Sequence, residues 1–337
     1  SSTGVPYEMG NGGGISVRSG SSAVIGGDAV IAGNIAYHGN GGGIFADGGS
    51  SVKVEDDAVI AGNLAEAELK NVSVGGKTYP DASKSNFKGS GGGIYIAPFQ
   101  RGSSKNTLIV EGGVIAGNVA EACADPRLGY GVGGGGIFTG GDLRVGGDCH
   151  IENNYAFEGG GGIMIWYKNN ATGHSYTNNG YHYPTFYMSG GTVRGNTCDG
   201  SEGGGIRCEG TGTIEKGVIE GNITNSFYDF GGGGIYVEMY TDHIGEGGNL
   251  SILNAEITEN VAYGYGGGVA GCAKSVMNVL TIKGAAIYGN EVRNMEGGKV
   301  CGNGKAGDET VTEQNYPEFF KDPGGGARTD IALDYFG

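Results

Sequence analysis

The sequence lacks long apolar runs, paired-cysteine motifs and helical periodicity. No run of about 18 apolar residues occurs in the 337-residue chain, so no segment is expected to span a membrane. The six cysteines include no C-x-x-C pair, which leaves a zinc site without support, and we expect no metal ion or other cofactor. We interpret the cysteines as small buried residues, with one or two disulfides as the alternative.

Positive charge is also scarce. The chain has 21 Lys and Arg against 36 Asp and Glu, which gives a net charge of −15. A surface of this charge repels phosphate backbones and anionic lipid headgroups. We therefore expect neither nucleic-acid binding nor electrostatic docking on a membrane.

Glycine, in contrast, is abundant and recurs in a fixed word. The chain contains 76 glycines without a strict every-third period, which excludes collagen. Three glycines followed by Ile or Val form this glycine word, and a degenerate copy stands at 297–300. The words occupy Gly12–Ile15, Gly41–Ile44, Gly91–Ile94, Gly134–Ile137, Gly160–Ile163, Gly203–Ile206, Gly232–Ile235 and Gly266–Val269.

A second word alternates with the glycine word. It consists of a β-branched residue, two further residues, Asn, one residue and then usually a small residue, as in Ile31–Ala36. The same frame places Asn at 34, 63, 118, 154, 196, 222, 260 and 290. A nucleotide-binding glycine loop would occur once, before a helix, so this repetition excludes that interpretation.

The spacing of the words predicts the fold. Ile15 and Ile44 are 29 residues apart, and Ile137 and Ile163 are 26 apart, which is a solenoid period. Each unit contains three short alternating segments that end at Gly, Asn or Asp. We predict an all-β, right-handed parallel β-helix of nine to ten coils, with the asparagines stacked as a ladder at one turn. The glycine words are expected at the opposite corner.

The two words together resemble the GGA(I/L/V) and FxxN repeats of polymorphic outer membrane protein passengers. They are also similar to repeats of the wider pectin-lyase-like superfamily of secreted β-helices, over residues 12 to about 301. The resemblance implies an extracellular or cell-surface location. The N-T-D, G-H-G and R-I-K segments of polygalacturonase-like hydrolases are not present.

The repeats suggest a single domain over residues 1–337. Residues 1–11 would form the N-terminal edge, 12–301 the repeats, and 302–337 a polar loop followed by a final strand at Thr329–Leu333. Solenoid ends expose strand edges that need a cover. We therefore expect the chain to be one segment of a longer surface protein.

Extra residues enter the repeat at two corners, and loops at one corner can wall a groove. The longest insertions at the first corner are 167–185 and 239–249, and they flank a coil without an insertion at Ile206. Two such loops would form a notch for one or two sugar rings. The predicted ligand-binding residues are Trp166, Tyr167, His182, Tyr183, Arg207, Glu209, Tyr240, Asp242 and His243. Packing of these aromatic rings on one another is the alternative.

The second corner carries acids before successive glycine words. These are Glu158, Asp199, Glu202 and Asp229. Carboxylates roughly 5–9 Å apart can hydrolyse a glycoside by acid/base catalysis, whereas acids at turns are also commonly solvated without any chemical role.

These observations favour a binding or adhesion module that recognises a glycan or a host or cell-surface protein. A polysaccharide-active enzyme that uses the four acids, either a hydrolase or a lyase, is the alternative, and a structural spacer is the third interpretation. The sequence gives no indication of the oligomeric state.

Overall fold

A computed structural model describes residues 10–67, 70–74, 77–81, 89–98, 104–121, 133–166, 184–225, 231–238, 249–271, 279–293 and 331–333. These residues form strands and turns, and they include no helix that could cross a membrane.

Sheet A contains the strand that follows each glycine word. Its nine strands are parallel and stack in chain order. They are β1 (Ile15–Val17), β5 (Ile44–Ala46), β11 (Ile94–Ile96), β15 (Ile137–Thr139), β19 (Ile163–Ile165), β23 (Ile206–Glu209), β26 (Ile235–Glu238), β29 (Val269–Gly271) and β33 (Ile331–Leu333).

Sheet B has 14 strands, and most coils contribute two of them on either side of a bend. They are β2 (Ser22–Ile25), β3 (Val30–Ala32), β6 (Ser51–Val54), β7 (Val59–Ala61), β12 (Thr107–Val110), β13 (Val114–Ala116), β16 (Asp142–Val145), β17 (His150–Glu152), β20 (Thr185–Met188), β21 (Thr192–Arg194), β24 (Thr211–Glu220), β27 (Asn249–Thr258), β30 (Val279–Ile282) and β31 (Ala286–Tyr288). The two long strands β24 and β27 run through the bend without a break.

Sheet C consists of eight two-residue strands after the asparagine turn. They are β4 (Ile35–Ala36), β8 (Leu64–Ala65), β14 (Val119–Ala120), β18 (Tyr155–Ala156), β22 (Thr197–Cys198), β25 (Ile223–Thr224), β28 (Val261–Ala262) and β32 (Glu291–Val292). This short segment adds a fourth strand to the three predicted for each coil. The sequence did not reveal it because two residues are too few for a periodic pattern.

Equivalent residues stack from coil to coil, which confirms the parallel β-helix. Ile206 pairs with Ile163 on one side and with Ile235 on the other, and all three are fully buried. They belong to one continuous core that follows the solenoid through its coils. Fully burying such a side chain contributes about 1.5–3 kcal/mol, so the stacked aliphatic columns are the main stabilising element.

The asparagine ladder is confirmed in detail. Asn154 donates its backbone N–H and its Nδ2 to Asn196 Oδ1 at 3.0 Å, and Asn196 does the same toward Asn222 at 3.0 and 2.9 Å. Nδ2 of Asn196 also donates to Ile151 O at 2.9 Å. The ladder amides thus satisfy backbone and side-chain groups in a turn that is buried from Asn63 to Asn260.

The turn geometry shows where the left-handed backbone lies and corrects the expected position of the glycine words. The left-handed backbone belongs to the residue before each ladder asparagine, such as Gly195 at φ 61°, and not to the asparagine itself. The glycine word also does not lie at the opposite corner. A Cβ on Gly205 would lie 2.9 Å from Asn222 Nδ2, so the two words are in contact in space.

Two described segments depart from the simple repeat. Strands β9 (Lys70–Val74) and β10 (Lys77–Asp81) form an antiparallel hairpin outside the three parallel sheets. Strand β33 lies within the segment predicted as the final strand, Thr329–Leu333, and pairs directly with β29. The degenerate glycine word at 297–300 lies outside the described residues.

Candidate functional site

The outward face of sheet A carries a column of large side chains. The second residue of each strand from β5 to β29 points away from the core, and strand pairing stacks these residues from coil to coil. The column contains Phe45, Tyr95, Phe138, Met164, Arg207, Tyr236 and Ala270. All except Arg207 are less than 9% exposed although they face away from the solenoid interior.

The first half of this column is an aromatic stack. The ring centroids of Phe45 and Tyr95 lie 5.5 Å apart, and those of Tyr95 and Phe138 lie 4.7 Å apart, with nearly parallel planes. Trp166 closes the stack at 5.8 Å from Phe138 and is 4% exposed. The predicted ligand residue Trp166 therefore contributes most of its ring surface to packing within this cluster.

At Arg207 the column changes from aromatic to charged. The Nη1 of Arg207 lies 2.8 Å from Glu202 Oε2, and its Nη2 lies 2.8 Å from Glu209 Oε1 and 2.6 Å from Glu238 Oε2. Nη1 also donates to Ser201 Oγ at 3.1 Å. We call Glu202, Arg207, Glu209 and Glu238 the Arg207 cluster. Their side chains are only 4–12% exposed, so four charges are concentrated in a largely desolvated site.

Two neighbouring coils build this cluster. Arg207 and Glu209 lie on β23, and Glu238 lies on β26 directly opposite Glu209 in the register. Glu202 comes from the turn before the glycine word, one residue ahead of Gly203. One guanidinium thus forms ion pairs with three carboxylates, and the formal charge of the ionised cluster is −2.

Burial and the neighbouring charges shift the pKa values of Glu202 and Arg207. Burial raises the pKa of the Glu202 carboxyl to about 7; Arg207 opposes this shift and Glu238 adds to it. Burial also disfavours the charge on Arg207, but the three carboxylates outweigh burial and raise the pKa of its guanidinium. Arg207 therefore stays charged, whereas Glu202 exchanges a proton near neutral pH.

The three predicted acids of the second corner that the structure describes do not occupy equivalent positions on neighbouring coils. Gly160 N–H donates to Glu202 O, so Glu202 aligns with Gly159 and not with Glu158. Asp199 follows strand β22 and accepts hydrogen bonds from Tyr155 Oη at 2.8 Å and from Asn225 Nδ2 at 2.7 Å. Glu158, Asp199 and Glu202 are all buried at 2–6% exposure and are not solvated turn residues.

The structure brings two predicted binding residues, Arg207 and Glu209, into direct contact, with Arg207 Nη2 2.8 Å from Glu209 Oε1. Glu238 was missed. Aligning the two glycine words would have found it, because Glu209 and Glu238 both stand three residues after the Ile. The other predicted residues lie outside the described part of the chain, namely Tyr167, His182, Tyr183, Asp229, Tyr240, Asp242 and His243.

The described cysteines and acids offer no metal centre. Cys149, Cys198 and Cys208 are buried and free of disulfides, and burial raises the pKa of their thiols to about 11, 12 and 12. In the described ranges, no group of three or more His, Cys, Asp or Glu is arranged to hold a metal ion. Cys123, Cys272 and Cys301 lie outside those ranges.

No protein-family model, curated protein or solved structure matches this chain.

Proposed function

We propose that this protein is an extracellular carbohydrate-binding module, used for recognition or adhesion, and that the Arg207 cluster is its ligand contact. The Arg207 cluster carries the proposal because it gathers three carboxylates around one guanidinium at the outward face of sheet A, two from its strands and one from the turn before β23. Carboxylates accept hydrogen bonds from sugar hydroxyls, and a guanidinium donates to hydroxyl or ring oxygens. The parallel β-helix and its repeat words support a place in the pectin-lyase-like superfamily of secreted proteins.

Charge narrows the ligand class. The ionised cluster has a formal charge of −2, and the whole chain has −15. Uronic acids and sulfated sugars would be repelled by both charges. Neutral sugars or amino sugars are therefore the expected ligands, and they would enter beside Arg207 and Glu238, which are each 12% exposed.

One observation favours glycoside hydrolysis as a second candidate function. The carboxyl group of Glu202 has a pKa of about 7 and lies next to carboxylates from the same coil and from the adjacent coil. Glycosidases use such a pair, in which one carboxyl holds its proton near neutral pH as the general acid and the other is ionised. Glu202 would then donate the proton to the leaving oxygen, and Glu238 would act as the base or nucleophile.

Variants of the Arg207 cluster distinguish carbohydrate binding from glycoside hydrolysis. A glycan array probed with the wild-type protein and with Glu238→Gln should show neutral glycans that bind the wild type and bind the variant at least tenfold more weakly. Glu152→Gln is the matched control, because Glu152 pairs with Arg194 on sheet B, outside the cluster. Binding that survives in Glu238→Gln would exclude the cluster as the contact.

Hydrolysis is tested on the same glycans by product analysis. Reducing ends that appear with the wild type and disappear with Glu202→Gln would identify the enzyme. Binding without products would leave the module as a lectin-like protein, and the absence of both would support the spacer interpretation.

A further inference from the structure

An apolar patch lies on the outside of the solenoid, at the turn between sheets B and C. Three successive coils carry the sequences VIAGNI, VIAGNL and VIAGNV there, at residues 30–35, 59–64 and 114–119. The Ile and Asn after each Val face inward, whereas the Val, Ala, Gly and last aliphatic residue face outward. We call these outward residues the apolar patch, and no residue of the Arg207 cluster belongs to it.

Strand pairing makes the apolar patch continuous. The valines form one column and the alanines a second, because like residues are direct register partners. Ile35, Leu64 and Val119 form a third column. Val30 is 67% exposed and Ile35 39%, and the other members are at least partly exposed. A Cβ on the glycine of each segment would meet no atom of the described residues within 4 Å, so the face is open.

The β-helix itself does not require apolar residues at these positions. On the next three coils the alanine column continues as Glu152, Arg194 and Glu220, which are direct register partners. The same strands therefore form with charged outward side chains. An exposed apolar surface that is confined to three coils and bordered by polar groups is typical of an interaction site.

Acids border the apolar patch at both ends of its segments. Asp28 and Asp57 stand two residues before the first and second segments, and both are exposed. At the other end, Glu66 and Glu121 stand two residues after the second and third segments. The two acidic rims thus face each other across the apolar residues.

The bases beside these rims are already engaged. Lys53 Nζ lies 2.7 Å from Glu55 Oε2 and 2.8 Å from Glu111 Oε2, so one ammonium is shared by two carboxylates. On the opposite rim, His38 Nδ1 lies 3.9 Å from Glu66 Oε2. Each rim therefore keeps an excess of negative charge.

We propose that the apolar patch binds a segment of a partner protein in which about five apolar residues are flanked at both ends by Lys or Arg. Six residues of strand extend over at most about 17 Å, which is the length of about five residues of an extended chain. The basic flanks would lie against the two acidic rims, and the apolar residues against the valine and alanine columns. This binding is independent of carbohydrate binding at the Arg207 cluster.

Other occupants fit the apolar patch less well. Three coils at about 4.8 Å give a width of only about 10 Å between the outer backbones, so the surface is smaller than the about 800 Å² per partner of a stable interface. A second copy would also place acidic rims against each other, and anionic lipids would be repelled by the same rims.

The test is calorimetric titration of the full chain with the capped synthetic peptide KKVAVAVKK. It should bind at least tenfold more tightly than KKSGSGSKK, which lacks the apolar side chains, and than EEVAVAVEE, which reverses the charge. Ala61→Arg should weaken binding of KKVAVAVKK at least tenfold, and arginine is already accommodated in this column at Arg194. Ser251→Arg is the matched control, because it adds the same charge in a different column of sheet B, one that carries Arg144.

Three results would overturn the inference: no binding of KKVAVAVKK, equal affinity for either control peptide, or unchanged affinity in a folded Ala61→Arg variant. If Ala61→Arg does not fold, the double variant Asp57→Asn/Glu66→Gln decides. It removes charge from both rims and should weaken binding severalfold, and unchanged affinity in that variant also overturns the inference. A dimer in sedimentation that Ala61→Arg dissociates would assign the apolar patch to a second copy and would overturn it as well.

Discussion

Replacing Glu202 with glutamine should stabilise the protein above neutral pH and leave its stability in mild acid nearly unchanged. Glu202 is 3% exposed and shares one guanidinium with two other carboxylates. Burial raises the pKa of its carboxyl from 4.5 to about 7. The folded chain therefore holds this proton more tightly than the unfolded chain does, and the folded state loses stability as the pH rises from about 4.5 to about 7.

The magnitude follows from the pKa difference of 7 − 4.5, or about 2.5 units. At about 1.4 kcal/mol per unit, the ionised Glu202 lowers the free energy of unfolding by up to about 3 kcal/mol. At about pH 4 the wild-type side chain is largely protonated in both the folded and the unfolded chain and resembles glutamine, so the two proteins should be nearly equal in stability. At about pH 8 Glu202→Gln should be the more stable protein by up to about 3 kcal/mol.

Urea unfolding at a series of pH values measures this difference, and urea has the advantage of not screening charges. Glu152→Gln is the control, because Glu152 forms an ion pair with Arg194, whose side chain is 50% exposed. Its curve should run parallel to the wild type between about pH 5 and pH 8. Burial also raises the pKa of Glu121. Because Glu121 is present in all three proteins, its contribution to the pH dependence cancels when they are compared. Parallel curves for the wild type and Glu202→Gln would refute the reasoning and show that the cluster accommodates three ionised carboxylates.

Three further predictions concern the ladder, the glycine word and the arginine. Asn196→Ala should lower the free energy of unfolding by about 1–3 kcal/mol, because the hydrogen bonds that its side chain accepts from Asn154 and donates to Asn222 and Ile151 are lost. No loss in urea titration would contradict the ladder. Gly204→Ala should yield no folded protein by circular dichroism, since its Cβ would lie 2.5 Å from Gly233 O. Gly221→Ala meets nothing within 4 Å and should cost only about 1–2 kcal/mol for its left-handed backbone. A folded Gly204→Ala protein would contradict this contrast. Arg207→Met should cost about 3–5 kcal/mol in urea unfolding at about pH 8, because it leaves buried carboxylates without a counter-charge, and a loss near zero would show that they need none.

The candidate site was only partly predictable. Arg207 and Glu209 could be singled out because the coil at Ile206 lacks an insertion, and they do contact each other. Their main partners could not be chosen by the same reasoning. Glu202 reaches Arg207 from a turn, and Glu238 from the next coil, 31 residues along the chain. Glu158 is also an acid before a glycine word, but a one-residue offset in register separates it from the position of Glu202.

The sequence by itself determined the conformation of each coil, because the signals in each repeat act between residues that are close together in the chain. Glycine before Ile206, and asparagine at positions such as Asn196, specify turns and inward side chains from neighbouring residues alone. Which side chains meet on the outside was decided only by the tertiary structure. Stacking fixes the register between coils of unequal length, and that register places Glu238 beside Glu209 and Thr192 beside His150. The burial that raises the pKa of Glu202 arises the same way, since several chain segments must converge before water is excluded.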